Sequence, residues 1–224
     1  MIVVVGSPVG RLAGGLIVAG GTASRVALAA AAAGRSVQLV GKTGDDPTAD
    51  GVLLDLARGG VGHVALLRDP ARATPLETPT DLDVGPDDLA DPDTTAPVAA
   101  GLSVDVPAAG PTLEGADVDL GLRYLTEFAV VVLAEPATTD VVGIAAEAAR
   151  WSEARLILAV RAGESVPDDL PADAIVFEAP EDDPDGVFAT LVGGFAAALD
   201  DGTEPGEAFR ASIASDGWTG AADV

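Results

Sequence analysis

Apolar residues in this chain come in short blocks separated by Gly, Asp and Pro, and the blocks alternate between strand and helix character. Ile2–Val5 is a continuous apolar run ending at Gly6, the pattern of a strand buried on both faces. Residues 22–33 are Ala-rich and close on Gly34, as a helix with a C-terminal glycine does. Ser36–Val40 is a second apolar strand. Residues 51–58 carry Val52, Leu53 and Leu56 at helical spacing and stop at Gly59-Gly60, and Val64–Leu67 predicts a third strand. Further on, the pattern predicts a helix over Asp117–Leu125, a strand over Ala129–Leu133 and a helix over Thr138–Trp151, N-capped by Thr138 or Thr139. Strands at Leu156–Val160 and Ala174–Phe177 follow, then an apolar helix over Gly186–Leu199 and a last helix from Glu207 to about Ser215. Gly193-Gly194 inside the apolar helix implies a close neighbour. Strand–helix alternation of this kind predicts one three-layer α/β/α domain over residues 1–224, with a mostly parallel, Rossmann-like sheet.

The segment 69–115 breaks the pattern. It is dense in Pro, Asp, Thr and Gly, with strand-like alternation only at Leu102–Val106, and reads as loop with one or two peripheral strands.

Composition supports a packed domain and narrows the partners. Hydrophobic residues make up 48% and mean hydropathy is +0.35, enough to build one core, while aromatics at 4% leave that core to Ala, Val and Leu. With 36 acidic against 12 basic residues the net charge is −24, a field that repels nucleic acid and anionic membranes alike. Lys42 is the only lysine. Excess carboxylate with almost no lysine resembles the proteins of salt-loving organisms; a high-GC genome gives the same bias toward Ala, Gly, Asp and Arg. No cysteine is present, so disulfides, thiolate catalysis and Cys-based metal sites are excluded, and no metal site is assigned. The start MIVVVGSPVG lacks a basic n-region and a signal-type apolar run, and the stretch from Leu12 to Gly34 is broken by Arg25 and by glycines. A cytoplasmic location is expected, with homo-oligomerisation left open.

Three motifs carry candidate chemistry. Gly41-Lys42-Thr43 looks like the tail of a phosphate-binding P-loop, but the upstream Gly34 is too distant and a strand occupies the gap. Gly44-Asp45-Asp46-Pro47 then stands where the helix should begin, so the motif is rejected. The second is an ordered set: Gly20-Gly21-Thr22-Ala23-Ser24-Arg25-Val26-Ala27, then Gly41-Lys42-Thr43-Gly44-Asp45-Asp46, then Gly60-Val61. The third is Asp183-Pro184-Asp185-Gly186-Val187-Phe188-Ala189, running on to Val192-Gly193-Gly194-Phe195.

Together these sets resemble the ribokinase-like (PfkB) carbohydrate kinase family, in shortened and degenerate form. The resemblance implies a ribokinase-like fold, with the β-lid over the sugar site reduced or absent because few residues separate the first strand from the GG motif. It implies substrate contacts at Gly20, Gly21, Arg25, Asp45 and Arg11, with Arg25 standing where the family has a sugar-binding Asn. It implies an anion hole for the transferring phosphoryl group at Gly186, Val187, Phe188 and Ala189, on the free N–H groups of a helix start. The family's catalytic Asp falls on Ala189, which cannot accept a proton, and Phe188 replaces a glycine. The expected activity is therefore lost, leaving a role in binding a sugar or anion or in regulation. Two alternatives stay open: an active sugar or nucleoside kinase using ATP and Mg²⁺ with its base moved to Asp182, Asp183 or Asp185, and a scaffold or oligomer subunit. Ala189, Asp45 and Arg25 are expected to face one cleft. The lone His63 is expected in a loop, and Asp93-Thr94-Thr95 is treated as loop.

Overall fold

The computed structural model describes residues 1–77, 110–167, 169–181, 183 and 185–215. The strand expected at Leu102–Val106, the loop residues Asp93-Thr94-Thr95 and the candidate Asp182 lie outside them.

The chain runs β1 (Ile2–Val5), β2 (Val9–Ala13), β3 (Leu16–Gly20), α1 (Gly21–Ala32), β4 (Val37–Gly44), α2 (Pro47–Arg58), β5 (Val61–Gly62), β6 (Leu66–Asp69) and β7 (Leu76–Glu77). After the Pro/Asp-rich segment come α3 (Gly115–Arg123), β8 (Val130–Leu133), α4 (Thr139–Trp151), β9 (Arg155–Arg161), β10 (Ile175–Ala179), α5 (Val187–Asp200) and α6 (Pro205–Ser215). The main sheet has strand order β10-β9-β8-β1-β4-β5, with β6 also on β4, and every pairing is parallel.

Alternation along β1 assigns the layers. Ile2 and Val4 point into a core shared with α1, α2, α5 and α6, while Val3 and Val5 point into a core shared with α3 and α4. Both faces of the central strands are thus buried, which is why these strands are unbroken apolar runs. Thr138 is the N-cap of α4, accepting from Val141 N–H at 3.4 Å. Lys42, inside β4, bonds Asp117 of α3 at 2.9 Å, a structural ion pair rather than a phosphate contact.

One expectation needs correction. Val64 belongs to a turn and is 68% exposed; the third strand is instead split into β5 and β6 around it. Residues 9–20, to which the sequence pattern assigns no element, form the hairpin β2–β3, joined at Gly14-Gly15, whose φ values of 58° and 80° suit the mirror-image two-residue turn that matches strand twist. With β7, the hairpin makes a second sheet of order β3-β2-β7. It packs on α2, where the side chain of Ile17 lies against Gly51. Among the described residues, no helix is long and apolar enough to cross a membrane.

Candidate functional site

Crossovers leave β1 toward β4 on one side, and β8 adjoins it on the other, so the switch in strand order falls between β1 and β8. Open α/β sheets bind ligands at the carboxyl edge of such a point. Here Gly6 follows β1 and Glu135 follows β8, and α1 starts beside both. A Cβ on Gly6 would stand 2.7 Å from Ala23 Cβ and 3.5 Å from the Glu135 carboxyl, so only glycine lets these three segments close up.

The first turn of α1 has orphan N–H groups, and its N-cap, Gly20, has no side chain to satisfy them. Carboxylates from distant elements do so instead. Glu77 Oε1, on β7, accepts from Gly21 N–H at 2.7 Å, and Glu135 accepts from the backbone N–H groups of Ala23 and Ser7. Glu135 keeps some exposed surface, but its carboxyl is closely surrounded. Burial pushes it up from the ordinary glutamate range, against the two N–H groups that favour its charged form. The folded state therefore holds the Glu135 proton at pH values where the unfolded chain has released it. That stabilisation is complete below the ordinary glutamate value and is lost as pH rises through the raised one. Glu135→Gln has no proton to lose in this range. Its stability relative to the parent is expected to improve steadily as pH climbs through that window, measured by urea unfolding at a series of pH values; parallel profiles would contradict it.

The start of α5 is occupied in the same way. Gly186 is its N-cap at φ 71°, a left-handed conformation that favours glycine, and an added Cβ there would meet Arg25 Cδ at 3.2 Å. The Asp183 carboxylate folds over the helix end, accepting from Phe188 N–H at 3.1 Å and Ala189 N–H at 3.0 Å. Arg25 joins the two helix starts. Its guanidinium donates to the Asp183 carbonyl oxygen at 2.5 Å and to Glu77 Oε2 at 3.3 Å, while Arg11 Nε lies 3.9 Å from the same Glu77 oxygen.

The structure thus brings Gly20, Gly21, Arg25, Arg11, Asp183 and Gly186 to one place. It does not bring the side chain of Asp45 or of Ala189 there. Asp45 is exposed and pairs with Arg68 at 2.9 Å. Its neighbour Asp46 is structural, capping α2 through Ala49 N–H and holding Thr74 N–H at 2.6 Å. Burial of Asp46 works against its charge, but these backbone donors outweigh it and lower its pKa. Ala189, expected to line a cleft, is fully buried in the core under α1 and α5. Its apolar neighbours along the helix, Val192 and Phe195, draw that face of the helix inward. Phe188 packs partly buried on the same core, while Val187 is 46% exposed. Asp185 and His63 are exposed. A cavity of about 750 Å³ opens elsewhere, between α3 and α4, lined by Leu122, Leu125, Phe128, Ile144 and Trp151. Phe128 and Trp151 precede β8 and β9, so this cavity lies toward the amino edge of the sheet, away from the cluster.

Glu77 and Glu135 were not among the candidates. Glu135 carried a usable signal, an acid placed just beyond an all-apolar strand, where parallel sheets present their ligand edge. Glu77 sits among prolines and threonines with no periodicity around it, and only its tertiary contacts single it out.

No family model matches the sequence, and neither does any curated protein. Solved structures do match. A ribokinase from Arabidopsis thaliana, complexed with ribose and ATP, is 15% identical with a TM-score of 0.61, over 96% of this chain and 90% of that one. The aminoimidazole riboside kinase of Salmonella enterica is 12% identical with a TM-score of 0.59, over 96% and 90%. The chain has a ribokinase-like fold.

Proposed function

We propose that this chain is a ribokinase-like small-molecule-binding protein that transfers no phosphate. One observation carries the reading: the Asp183 carboxylate sits on the Phe188 and Ala189 N–H groups, where the resemblance places the transferring phosphoryl group. A carboxylate and a phosphate cannot share those donors, and a phosphate would have to displace Asp183 within a chain of net charge −24. The position that the resemblance gives to the base holds a methyl group sealed in the core. ATP with Mg²⁺ therefore does not fit the α5 end as it stands, and no step is assigned to it.

A retained ligand site is supported by the place of the cluster at the carboxyl edge, where open α/β sheets bind ligands, and by two arginines converging there in a chain with few cations. Ser7, whose N–H serves Glu135, also keeps a buried hydroxyl with no protein partner.

Two measurements test this. With ATP, Mg²⁺ and a panel of sugars and nucleosides, product formation is expected to stay at background. Turnover near 1 s⁻¹, at the low end of ordinary enzymes, would instead support a relocated base, with Asp182, Asp183 and Asp185 to be substituted in turn. A thermal-shift screen of sugars and small anions in molar KCl is expected to find at least one stabiliser. Saturation at a hundredfold excess over Kd contributes about 2.7 kcal/mol, or roughly 5–10 °C for a chain of this size. A flat screen would favour a scaffold or oligomer subunit.

A further inference from the structure

Glu77 does to its surroundings what a bound ligand would do. Both its oxygens are engaged, one by Gly21 N–H and the other by Arg25, with Arg11 close behind. Its carboxyl comes so near the GG motif that a Cβ on Gly20 would stand 3.0 Å from it. The residue arrives on a strand of only two residues, β7, paired to the exposed residue Arg11 and to Gly10 at the edge of the second sheet. Two guanidiniums and a backbone donor on one carboxylate form a seat for an oxyanion. The strand that fills it has few backbone bonds to hold it there.

We infer that Arg25, Arg11 and Gly21 form an anion site that Glu77 occupies as a built-in competitor, and that the ligand is a small carboxylate or phosphate monoester that displaces it. This rests on the reading of the cluster as a small-molecule site and adds the ligand's charge and the group that gates entry. Entry of the anion exchanges one carboxylate for another on the same donors and frees Glu77 to solvent. The affinity of the parent protein is accordingly reduced by the competition of its own side chain, which is tethered and so present at high effective concentration.

The test removes the competitor. Glu77→Ala leaves a gap the size of acetate, so binding of acetate and of inorganic phosphate is measured by calorimetry in molar KCl, for the parent and the variant. At least tenfold tighter binding of one of them to Glu77→Ala is expected, with loss of that gain in the Arg25→Ala, Glu77→Ala double variant. Acetate against phosphate distinguishes the two ligand chemistries. Should Glu77→Ala fold only when acetate is present, that rescue is the same result by another route. Should it not fold at all, Glu77→Gln decides: it keeps an acceptor for Gly21 but not the ion pair, and a gain in anion affinity is again expected. Equal, weak anion binding by parent and variant overturns the proposal. If neutral sugars still stabilise the protein in that case, the small-molecule reading survives without it; if neither anions nor sugars bind, both fail.

Discussion

Gly193→Ala is expected to destabilise the protein by about 3 kcal/mol, while Gly194→Ala, one residue on, is expected to stabilise it by about 0.5–1 kcal/mol. Both glycines lie inside α5, where alanine is the better helix former by close to 1 kcal/mol, so propensity alone predicts two gains. Space reverses the sign at one of them. A Cβ at Gly193 would stand 2.6 Å from Val26 carbonyl oxygen, 2.7 Å from Ala29 Cβ and 3.1 Å from Ala30 N, all on α1. Two of those atoms are helix backbone and cannot swing aside, so the whole α1–α5 contact must open. At Gly194 the nearest foreign atom is Ser212 Oγ, at 4.0 Å. Chemical denaturation of the two variants checks both signs at once. A stable Gly193→Ala would mean that α1 and α5 do not approach this closely. The loss is a large share of the 5–15 kcal/mol typical of a folded domain.

The same pair shows what the sequence made legible. A double glycine in an apolar helix announces a close neighbour, but not which glycine meets it, because that depends on helix rotation. The parallel sheet was readable because strands buried on both faces must be apolar throughout, as Val130–Leu133 and Ile2–Val5 are. The hairpin was not read, although Gly14-Gly15 is a standard turn pair. Its strands, half-buried and interrupted by Gly10, show no clean alternation. At the site, the GG motif and Arg25 follow from the resemblance, and in the structure Glu77 joins them through Gly21 N–H and the Arg25 guanidinium. Ala189 is expected to line a cleft, and its side chain is buried instead. A residue at the start of a helix can present its N–H to a site while its side chain points into the core, and sequence alignment does not distinguish the two. The carboxylates that fill the site, Glu77, Glu135 and Asp183, each act across long sequence separations or a backbone turn. No local pattern encodes such contacts.

Melting temperature is expected to rise by about 10 °C or more between low salt and molar KCl. Two electrostatic effects compete. Salt weakens attractive ion pairs such as Arg68 with Asp45 and Asp50, or Arg155 with Asp173. These lie at the surface, where each contributes about 0–1 kcal/mol. Salt also screens repulsion among carboxylates, and here the numbers are unequal. If each of the 12 basic residues neutralised one of the 36 acidic residues, 24 carboxylates would still face one another over one small domain. Repulsion of that size opposes the compact state, because unfolding separates the charges. At molar salt the screening length falls to about 3 Å, shorter than the spacing of most surface carboxylates. Relief of repulsion should therefore exceed the loss of ion pairs by several kcal/mol, at roughly 2–4 °C per kcal/mol for this length. Calorimetric scans in KCl from low to molar concentration measure it, with an uncharged osmolyte as the control for general exclusion effects. A flat or falling dependence would show that the charge is neutralised in the folded state by something other than mobile ions, and would remove the likeness to proteins built for high salt.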